Sequence, residues 1–352
     1  MRLLLVTNDW LPDIGGIQTY LAGLVERTSH DVTVLGPANP IAEDDPMVVR
    51  HPDARFLGPT PSVRRWIVDE ARRAGADLVW FGAPHPPALV GPELGLPYVV
   101  HVHGAEVGIA DSVPGLRTRL RSTLRQAADV LSVSRWTADE VERRVGRPAT
   151  VVGVGVDVDR FSPGEAPDRM VVLCVGRLVP RKGQARVIEA VARLGEGGVA
   201  AEVVIVGAGR DKQRLRELAI RRGVRATFPG AVPDAELTEW YRSSTVFAMP
   251  VADRWAGREF EGLGIVYLEA AASGLPVIVG PSGGAPETII PGETGFIADD
   301  ARTLARQFAW IAAHRDEARA MGASGRAFVT ERYGWDAVVD RFDTAITRAA
   351  AT

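Results

Sequence analysis

The chain has 352 residues, enough for about two domains of ordinary size. Apolar residues make up 46% and charged residues 24%, which excludes a disordered chain or a coiled coil. A net charge of −3 argues against nucleic acid as a partner.

Short β-branched runs at 2–7, 31–35, 47–51, 78–81, 98–103, 130–133 and 150–154 alternate with helical patterns at 17–28, 61–74, 117–128 and 137–144. A second series follows, with strands at 170–175, 201–206, 226–229, 246–249, 276–279 and 295–297. Its helical patterns lie at 185–194, 211–222, 234–243 and 266–273, and a last helix is expected at 335–348. Several strands are continuously apolar, as parallel strands covered on both faces must be. The expected fold class is α/β, with two doubly wound Rossmann-like domains. The Gly- and Pro-rich passage from Gly153 to Gly164 separates the two series, so domains are expected at 1–157 and 158–334.

Cys174 lies inside Val171-Val-Leu-Cys-Val175 with no Cys or His nearby, and reads as a core thiol rather than a ligand. No stretch approaches the roughly 18 apolar residues of a membrane span. The short run Leu3-Leu-Leu-Val6 is no secretory signal. A cytoplasmic protein is expected. Among 41 basic residues only Lys182 and Lys212 are lysines, the rest being Arg.

In parallel α/β sheets ligands collect beyond the carboxyl ends of strands, so the loops there are where chemistry is expected. After the first strand, Gly15-Gly16 opens a helix, which suits either an anion cradled by backbone N–H groups or a plain turn. Neither a G-x-G-x-x-G nor a Walker loop is present. Arg177, Arg181 and Lys182 follow the strand ending at Val175, and suit either a diphosphate or a solvated basic loop. Glu261 and Glu269 flank Gly262-Leu-Gly-Ile265 where a helix is expected to begin. That pattern fits two carboxylates accepting sugar hydroxyls, with N–H groups between them for phosphate, or an ordinary helix with surface Glu. His101 and His103 share one face of a strand, but no third metal ligand accompanies them. His101 reads as a packed core residue and His103, at the strand end, as ligand-facing. Leu116, Leu120 and Leu124 form a stripe with Arg117, Arg119, Arg121 and Arg125 around it. This helix either packs its stripe on the core or lies on an anionic membrane surface.

The order of these motifs resembles a known family. A Gly-Gly loop, His-Gly at a strand end, Gly155-Val-Asp-x-x-x-Phe161, Gly176-Arg-Leu-x-x-x-Lys-Gly183 and Glu261-x7-Glu269 are together similar to the retaining GT-B glycosyltransferases of glycosyltransferase family 4. Val6-Thr-Asn-Asp9, Gly15-Gly-Ile-Gln-Thr-Tyr20, Val79-Trp-Phe-Gly-Ala83, Arg177-Leu-Val-Pro-Arg-Lys-Gly-Gln184, Glu261-Gly-Leu-Gly-Ile-Val-Tyr-Leu-Glu-Ala270 and Ser282-Gly-Gly-Ala-Pro-Glu-Thr288 resemble the actinobacterial phosphatidylinositol monomannoside mannosyltransferases within it. The resemblance implies a GT-B fold, two Rossmann-like domains facing a cleft, with the terminal helix at 335–352 packed back on the first domain. It implies transfer of mannose from GDP-mannose to a lipid or small-molecule acceptor, with an α-1,6 bond to a mannosylated phosphatidylinositol, and no metal or other cofactor.

Carried over by residue, the resemblance assigns Gly15, Gly16, Arg177 and Lys182 to the donor diphosphate. Glu261 and the backbone of Gly262, Leu263, Gly264 and Ile265 meet the donor sugar and phosphate, and Glu269 the ribose. His103 lies beside the sugar C6 hydroxyl at the reacting centre, while Asp9 and Gln18 face the acceptor. The chain departs from this pattern on the acceptor side. It has His103-Gly-Ala-Glu106 for His-Gly-His-Glu, Val107-Gly-Ile-Ala-Asp-Ser-Val113 for a segment rich in Trp, Met and Leu, and Ala252-Asp-Arg-Trp-Ala-Gly-Arg-Glu-Phe260 before Glu261. The alternatives are a family 4 enzyme with another donor or a soluble acceptor, and a sugar-nucleotide 2-epimerase of the same shape.

Overall fold

The structure, a computed structural model, describes residues 1–13, 15–41, 45–165, 167–254 and 257–351, with backbone alone at 105, 109 and 111. The side chains of Ala105, Ile109 and Asp111, and Trp255 and Ala256 from the departing segment 252–260, lie outside the described residues. In chain order come β1 (Arg2–Val6), α1 (Gly16–Arg27), β2 (Asp31–Gly36), β3 (Val48–Arg50), α2 (Pro61–Ala74), β4 (Leu78–Phe81), β5 (Tyr98–Val102), α3 (Ala105–Asp111), α4 (Pro114–Gln126), β6 (Asp129–Ser132), α5 (Arg135–Val145) and β7 (Thr150–Val151). Then follow β8 (Met170–Val175), α6 (Gln184–Glu196), β9 (Ala201–Val206), α7 (Lys212–Arg221), β10 (Arg225–Gly230), α8 (Asp234–Arg242), β11 (Val246–Met249), α9 (Ile265–Ala272), β12 (Val277–Val279), β13 (Gly295–Ile297), α10 (Ala301–Ala313), α11 (Arg315–Tyr333) and α12 (Trp335–Ala350).

The chain divides into two units. Unit 1 comprises Met1–Gly155, Gly257–Gly262 and Trp335–Thr352; unit 2 comprises Val156–Ala256 and Leu263–Gly334. Gly257–Gly262, which chain order places inside the expected domain 158–334, thus belongs with the first unit. Unit 1 holds a parallel sheet in the order β3-β2-β1-β4-β5-β6-β7, and unit 2 one in the order β10-β9-β8-β11-β12-β13. Both are doubly wound.

The strands read as apolar runs because helices cover both faces. β1, β4 and β5 are buried along nearly their whole length, and Leu4, Val6, Phe81, Val100 and Val102 meet Leu120 and Leu124 in one core. In unit 2, Val172, Cys174, Ile205 and Ile278 do the same with Val187 and Phe308. Cys174 is buried as expected, donates to the Ala248 carbonyl at 3.0 Å, and has its thiol pushed far up by burial.

Some expected bounds shift for local reasons. β5 stops at Val102, which leaves His103 just past the strand end. α4 begins at Pro114 rather than 117, since proline at the first helical position pre-sets φ where no N–H is needed. The run 150–154 forms only two residues of strand, because the N–H groups of Val152 and Gly153 both turn to the Ser132 carbonyl.

α12 is stitched onto unit 1. Asp343 accepts from Thr28 Oγ1 at 2.5 Å and from Ser29 N and Oγ at 2.9 and 2.6 Å. Arg341 donates to the Val152 carbonyl at 2.8 Å and Arg348 pairs with Asp129 at 2.7 Å. The Trp335 ring fills a slot that exists only because Gly23 and Gly155 lack side chains; a Cβ there would stand 2.3 and 2.2 Å from the ring. Gly23→Ala or Gly155→Ala should therefore cost about 1–3 kcal/mol of stability in urea unfolding. Gly115→Ala, with nothing within 4 Å, should be neutral or slightly stabilising.

Candidate active site

A doubly wound sheet opens a crevice where its strand order reverses, because the loops leaving the two central strands run to opposite sides. The reversal falls between β1 and β4 in unit 1 and between β8 and β11 in unit 2. Each predicted site residue is set by one of these loops or by the strand beside it.

In unit 1 the loop after β1 is fixed before α1 begins. Asn8 bridges the Leu57 backbone in both directions, accepting at 2.7 Å and donating at 3.2 Å, and the Thr7 hydroxyl accepts from Asp9 N at 2.9 Å. Gln18 donates to Asp9 at 3.3 Å. Burial pushes the Asp9 carboxyl up; His103 pulls it down, and Glu106 and Asp13 push it up again. Asp9, Gln18, His103 and Glu106 are therefore one electrostatic neighbourhood. α1 starts at Gly15 with no side-chain cap and no acidic residue in its first turn, whereas Thr60, Ser134 and Asp300 cap α2, α5 and α10. Its free N–H groups and helix dipole suit an anion.

His103 is held by its surroundings. Its Nε2 donates to the Gly82 carbonyl at 2.6 Å, which leaves Nδ1 as the acceptor of the neutral ring. His101 stacks on it at 5.1 Å between centroids, and Tyr20 meets both rings edge-on. The Tyr20 hydroxyl hydrogen-bonds His101 Nε2 at 3.2 Å, and Trp335 stacks behind Tyr20. Burial, and then the neighbouring His103, hold His101 well below the usual imidazole range. His101 is a neutral packing residue, as its position in the strand indicated. Glu106 folds back to accept from the N–H groups of His103 and Gly104.

Glu261 sits in the 257–262 segment, and both of its neighbours are pinned within unit 1. The Gly262 Cα lies so close over the His103 carbonyl that a Cβ would stand 1.7 Å from that oxygen. Gly104, at φ 134°, approaches Gly262 as well, and a Cβ on it would stand 2.8 Å from the Gly262 Cα. Phe260 is buried against Trp136 at 4.0 Å between centroids. The structure thus brings His103 and the Glu261 segment together.

In unit 2, Gly176 leaves β8 at φ 145° and exposed Arg177 follows. Lys182 ends a short turn and is only 8% exposed. Gly183, at φ 79°, lets the turn run against the strand-β11 loop, where a Cβ would meet the Pro250 carbonyl at 2.4 Å. Ala252 N donates to the Arg181 carbonyl at 3.0 Å, so the β8 and β11 loops are tied together at the reversal point. The other lysine, Lys212, is the first residue of α7. α9 begins after Gly264, at φ 96°, with no side-chain cap and no acid in its first turn, so the N–H groups around Leu263, Gly264 and Ile265 are free of such competition.

Glu269, one turn into α9, is buried and accepts from the Tyr241 hydroxyl at 2.7 Å. Tyr241 is 28 residues away on another helix, and nothing in the sequence pairs them. Burial pushes the Glu269 carboxyl up to about 7, against the Tyr241 hydrogen bond and the Arg160 charge, which lower it, while Asp234 adds to the rise.

Packing accounts for the apolar stripe of α4 and leaves its basic face in solvent. The Leu120 and Leu124 stripe of α4 is spent on the core of unit 1, so this helix has no apolar face to lay in a bilayer; Arg117 and Arg119 are exposed. No helix among the described residues is long and apolar enough to cross a membrane. A cavity of about 420 Å³ in unit 2 opens at the opposite, amino-terminal ends of β11 and β12, and its Arg242 and Arg315 are engaged by Ser162 and by the Pro167 and Asp168 carbonyls.

A family model described as Glycosyltransferase Family 4 matches residues 14–160, and one described as Glycosyl transferases group 1 matches residues 156–328. The chain is 40% identical to a GDP-mannose-dependent α-(1-6)-phosphatidylinositol monomannoside mannosyltransferase of Mycobacterium tuberculosis, over 95% of both chains. The chain belongs to glycosyltransferase family 4. The enzyme of the same name from Mycolicibacterium smegmatis is 38% identical, again over 95% of each chain. Among solved structures, sucrose-phosphate synthase from Thermosynechococcus elongatus superposes with a TM-score of 0.83 at 22% identity over 99% of each chain. Anabaena HepE in complex with UDP gives 0.81 at 18%, covering 98% of this chain and 99% of that one. The fold is the GT-B fold of this glycosyltransferase family.

The pH response of Glu269 is a direct check on the site. Its ordinary value is 4.5 and its folded value about 7. The unfolded chain therefore loses this proton first, and stability declines between those values as pH rises, by roughly 3 kcal/mol. Glu269→Gln should remove the decline, so its stability relative to the parent should grow from pH 5 to pH 8 in urea unfolding. A constant difference would contradict a buried, ionisable Glu269.

Proposed function

We propose that the chain is a retaining mannosyltransferase that moves mannose from GDP-mannose to a hydroxyl of a mannosylated phosphatidylinositol, forming an α-1,6 bond. The observation that carries this is the 40% identity to the mycobacterial enzyme over 95% of both chains. The donor-side geometry agrees with it: a buried lysine and an exposed arginine on the loop at the strand-order reversal, and helices α1 and α9 that begin without side-chain caps.

In this reading Arg177 grips diphosphate oxygens through its fork, and Lys182 adds a compact charge. The N–H groups at Gly15, Gly16 and Gly262 to Ile265 complete the cradle. Glu261 accepts the mannose hydroxyls, Glu269 the ribose hydroxyls, and the lone pair on His103 Nδ1 the C6 hydroxyl. Asp9 and Gln18 lie toward the acceptor. The bond between mannose C1 and the diphosphate oxygen breaks as the acceptor oxygen attacks the same face, and the departing phosphate oxygen takes the acceptor proton. Negative charge grows on that oxygen, so fixed cations and N–H groups stabilise the transition state more than the ground state. The reading calls on no metal ion.

The test is incubation with GDP-mannose, UDP-glucose and UDP-N-acetylglucosamine without metal, following thermal stabilisation and slow donor hydrolysis. GDP-mannose should stabilise the protein and release GDP; no response would reject the donor, and formation of a 2-epimer would replace transfer with epimerisation. Lys182→Ala should lower transfer on the order of 10²-fold or more, with the fold intact. Lys212→Ala should leave it unchanged, and equal effects would overturn the assignment.

A soluble acceptor is the second reading, favoured by the departures at 105–113 and 252–260. An extracted phosphatidylinositol mannoside and a soluble mannoside, offered side by side, separate the two. A lipid acceptor also implies peripheral contact with the inner, anionic face of the cell membrane, and the basic face of α4 supports it. Changing Arg117 and Arg119 to Ser should weaken binding to phosphatidylinositol vesicles several-fold at low salt. Unchanged binding would reject that helix.

A further inference from the structure

The motif glutamates, eight residues apart, are carried by different units: Glu261 by unit 1 and Glu269 by unit 2. What fixes Glu261 is therefore to be sought in unit 1, and the N-terminus of α5 supplies it. Ser134 caps this helix, accepting from Thr137 N at 3.0 Å. Its hydroxyl also donates to the Gly262 carbonyl at 2.6 Å, although the two residues are 128 apart in the chain. The Thr137 hydroxyl stands 2.8 Å from Ser134 Oγ and 3.4 Å from the same carbonyl. Ser134 is 1% exposed and Thr137 is fully buried, so water does not compete for these bonds. The next residue but one, Trp136, holds Phe260.

We propose that Ser134, seconded by Thr137, is a positioning residue that seats Glu261 beside His103 by clamping the peptide that follows it. Glu261 has a pinned residue on each side: Phe260 under Trp136, and Gly262 between Ser134 and the His103 carbonyl. A backbone held on both sides fixes where the Glu261 Cα–Cβ bond points, and the residue is only 9% exposed. The seat explains the glycine as well, since a Cβ at 262 would collide with the carbonyl that the segment rests on. One hydroxyl thus does two things at once: it caps the start of α5 and it fixes a group that meets the donor sugar. The proposal rests on the role given to Glu261 under the proposed function.

The experiment compares Ser134→Ala, Ser134→Thr and Thr137→Val with the parent, each first checked for a cooperative thermal transition. Ser134→Ala should lower kcat for mannosyl transfer roughly ten- to a hundred-fold, as a misplacement of about an ångström does. GDP affinity, carried mostly by Arg177, Lys182 and Glu269, should fall by much less than kcat does. Ser134→Thr keeps the hydroxyl and should restore most of the rate. Thr137→Val keeps the Ser134 cap, guards against a failure of Ser134→Ala to fold, and should show a smaller loss of the same kind. In a Glu261→Gln background Ser134→Ala should add no further loss. Equal losses of GDP affinity and kcat, or independent multiplication of the Ser134 and Glu261 effects, would overturn the clamp. Hydrogen exchange at the 258–262 amides gives a readout without activity. It should quicken in Ser134→Ala even where GDP-mannose proves not to be the donor, and unchanged exchange would overturn the clamp on its own.

Discussion

A parallel strand covered by helices on both faces has nowhere for polar chemistry except its ends. That constraint governs both sheets of this chain. At the carboxyl ends the connections turn into helices, and the helix N-termini present N–H groups that the helix itself cannot satisfy. Where those termini have Thr, Ser or Asp caps, as in α2, α5 and α10, the donors are consumed internally. Where the cap is Gly15 or Gly264, no side chain takes them, and both helices follow strands beside the order reversal, β1 in one unit and β11 in the other. On the proposed reading the donor side is built by leaving things out as much as by adding charge.

Much of this is legible in the sequence, because it depends on local rules. Continuous apolar runs give parallel strands, alternation with helices gives double winding, and the loops after β1 and β8 follow from that order. His101 and His103 were separable by position alone, one inside the strand and one past its end. What escaped is long-range. Tyr241 reaches Glu269, Ser134 reaches Gly262 and Trp335 reaches Gly23, and each pair is joined only by the tertiary fold. Only Ser134 left a signal: a serine directly after an apolar strand and before a helix is a cap, and this one lies at a strand's carboxyl end. The apolar stripe of α4 could not be placed from the sequence, since its spacing is the same whether it meets a core or a lipid surface.

The two lysines make a similar point. An arginine-rich composition explains neither of them, yet their surroundings differ. Lys212 opens a helix, whereas Lys182 is buried in a turn closed by a glycine and by the Pro250 carbonyl. A guanidinium is larger and flatter than an ammonium, so the two are not interchangeable as anion ligands.

α12 has a consequence for the order in which the molecule can be made. Its Trp335 backs Tyr20, which in turn backs the His101 and His103 pair, yet these residues leave the ribosome after all of unit 2. Unit 2 has the whole of its sheet and core in one uninterrupted stretch of synthesis save the 257–262 excursion, and it can close as soon as Gly334 emerges. Unit 1 has all seven strands and one covered face by Val151, but its slot between Gly23 and Gly155 stays empty until Trp335 follows the whole of unit 2. The last helix therefore completes the unit made first rather than extending the one made second, and the histidine pair gains its backing only when synthesis has passed Trp335.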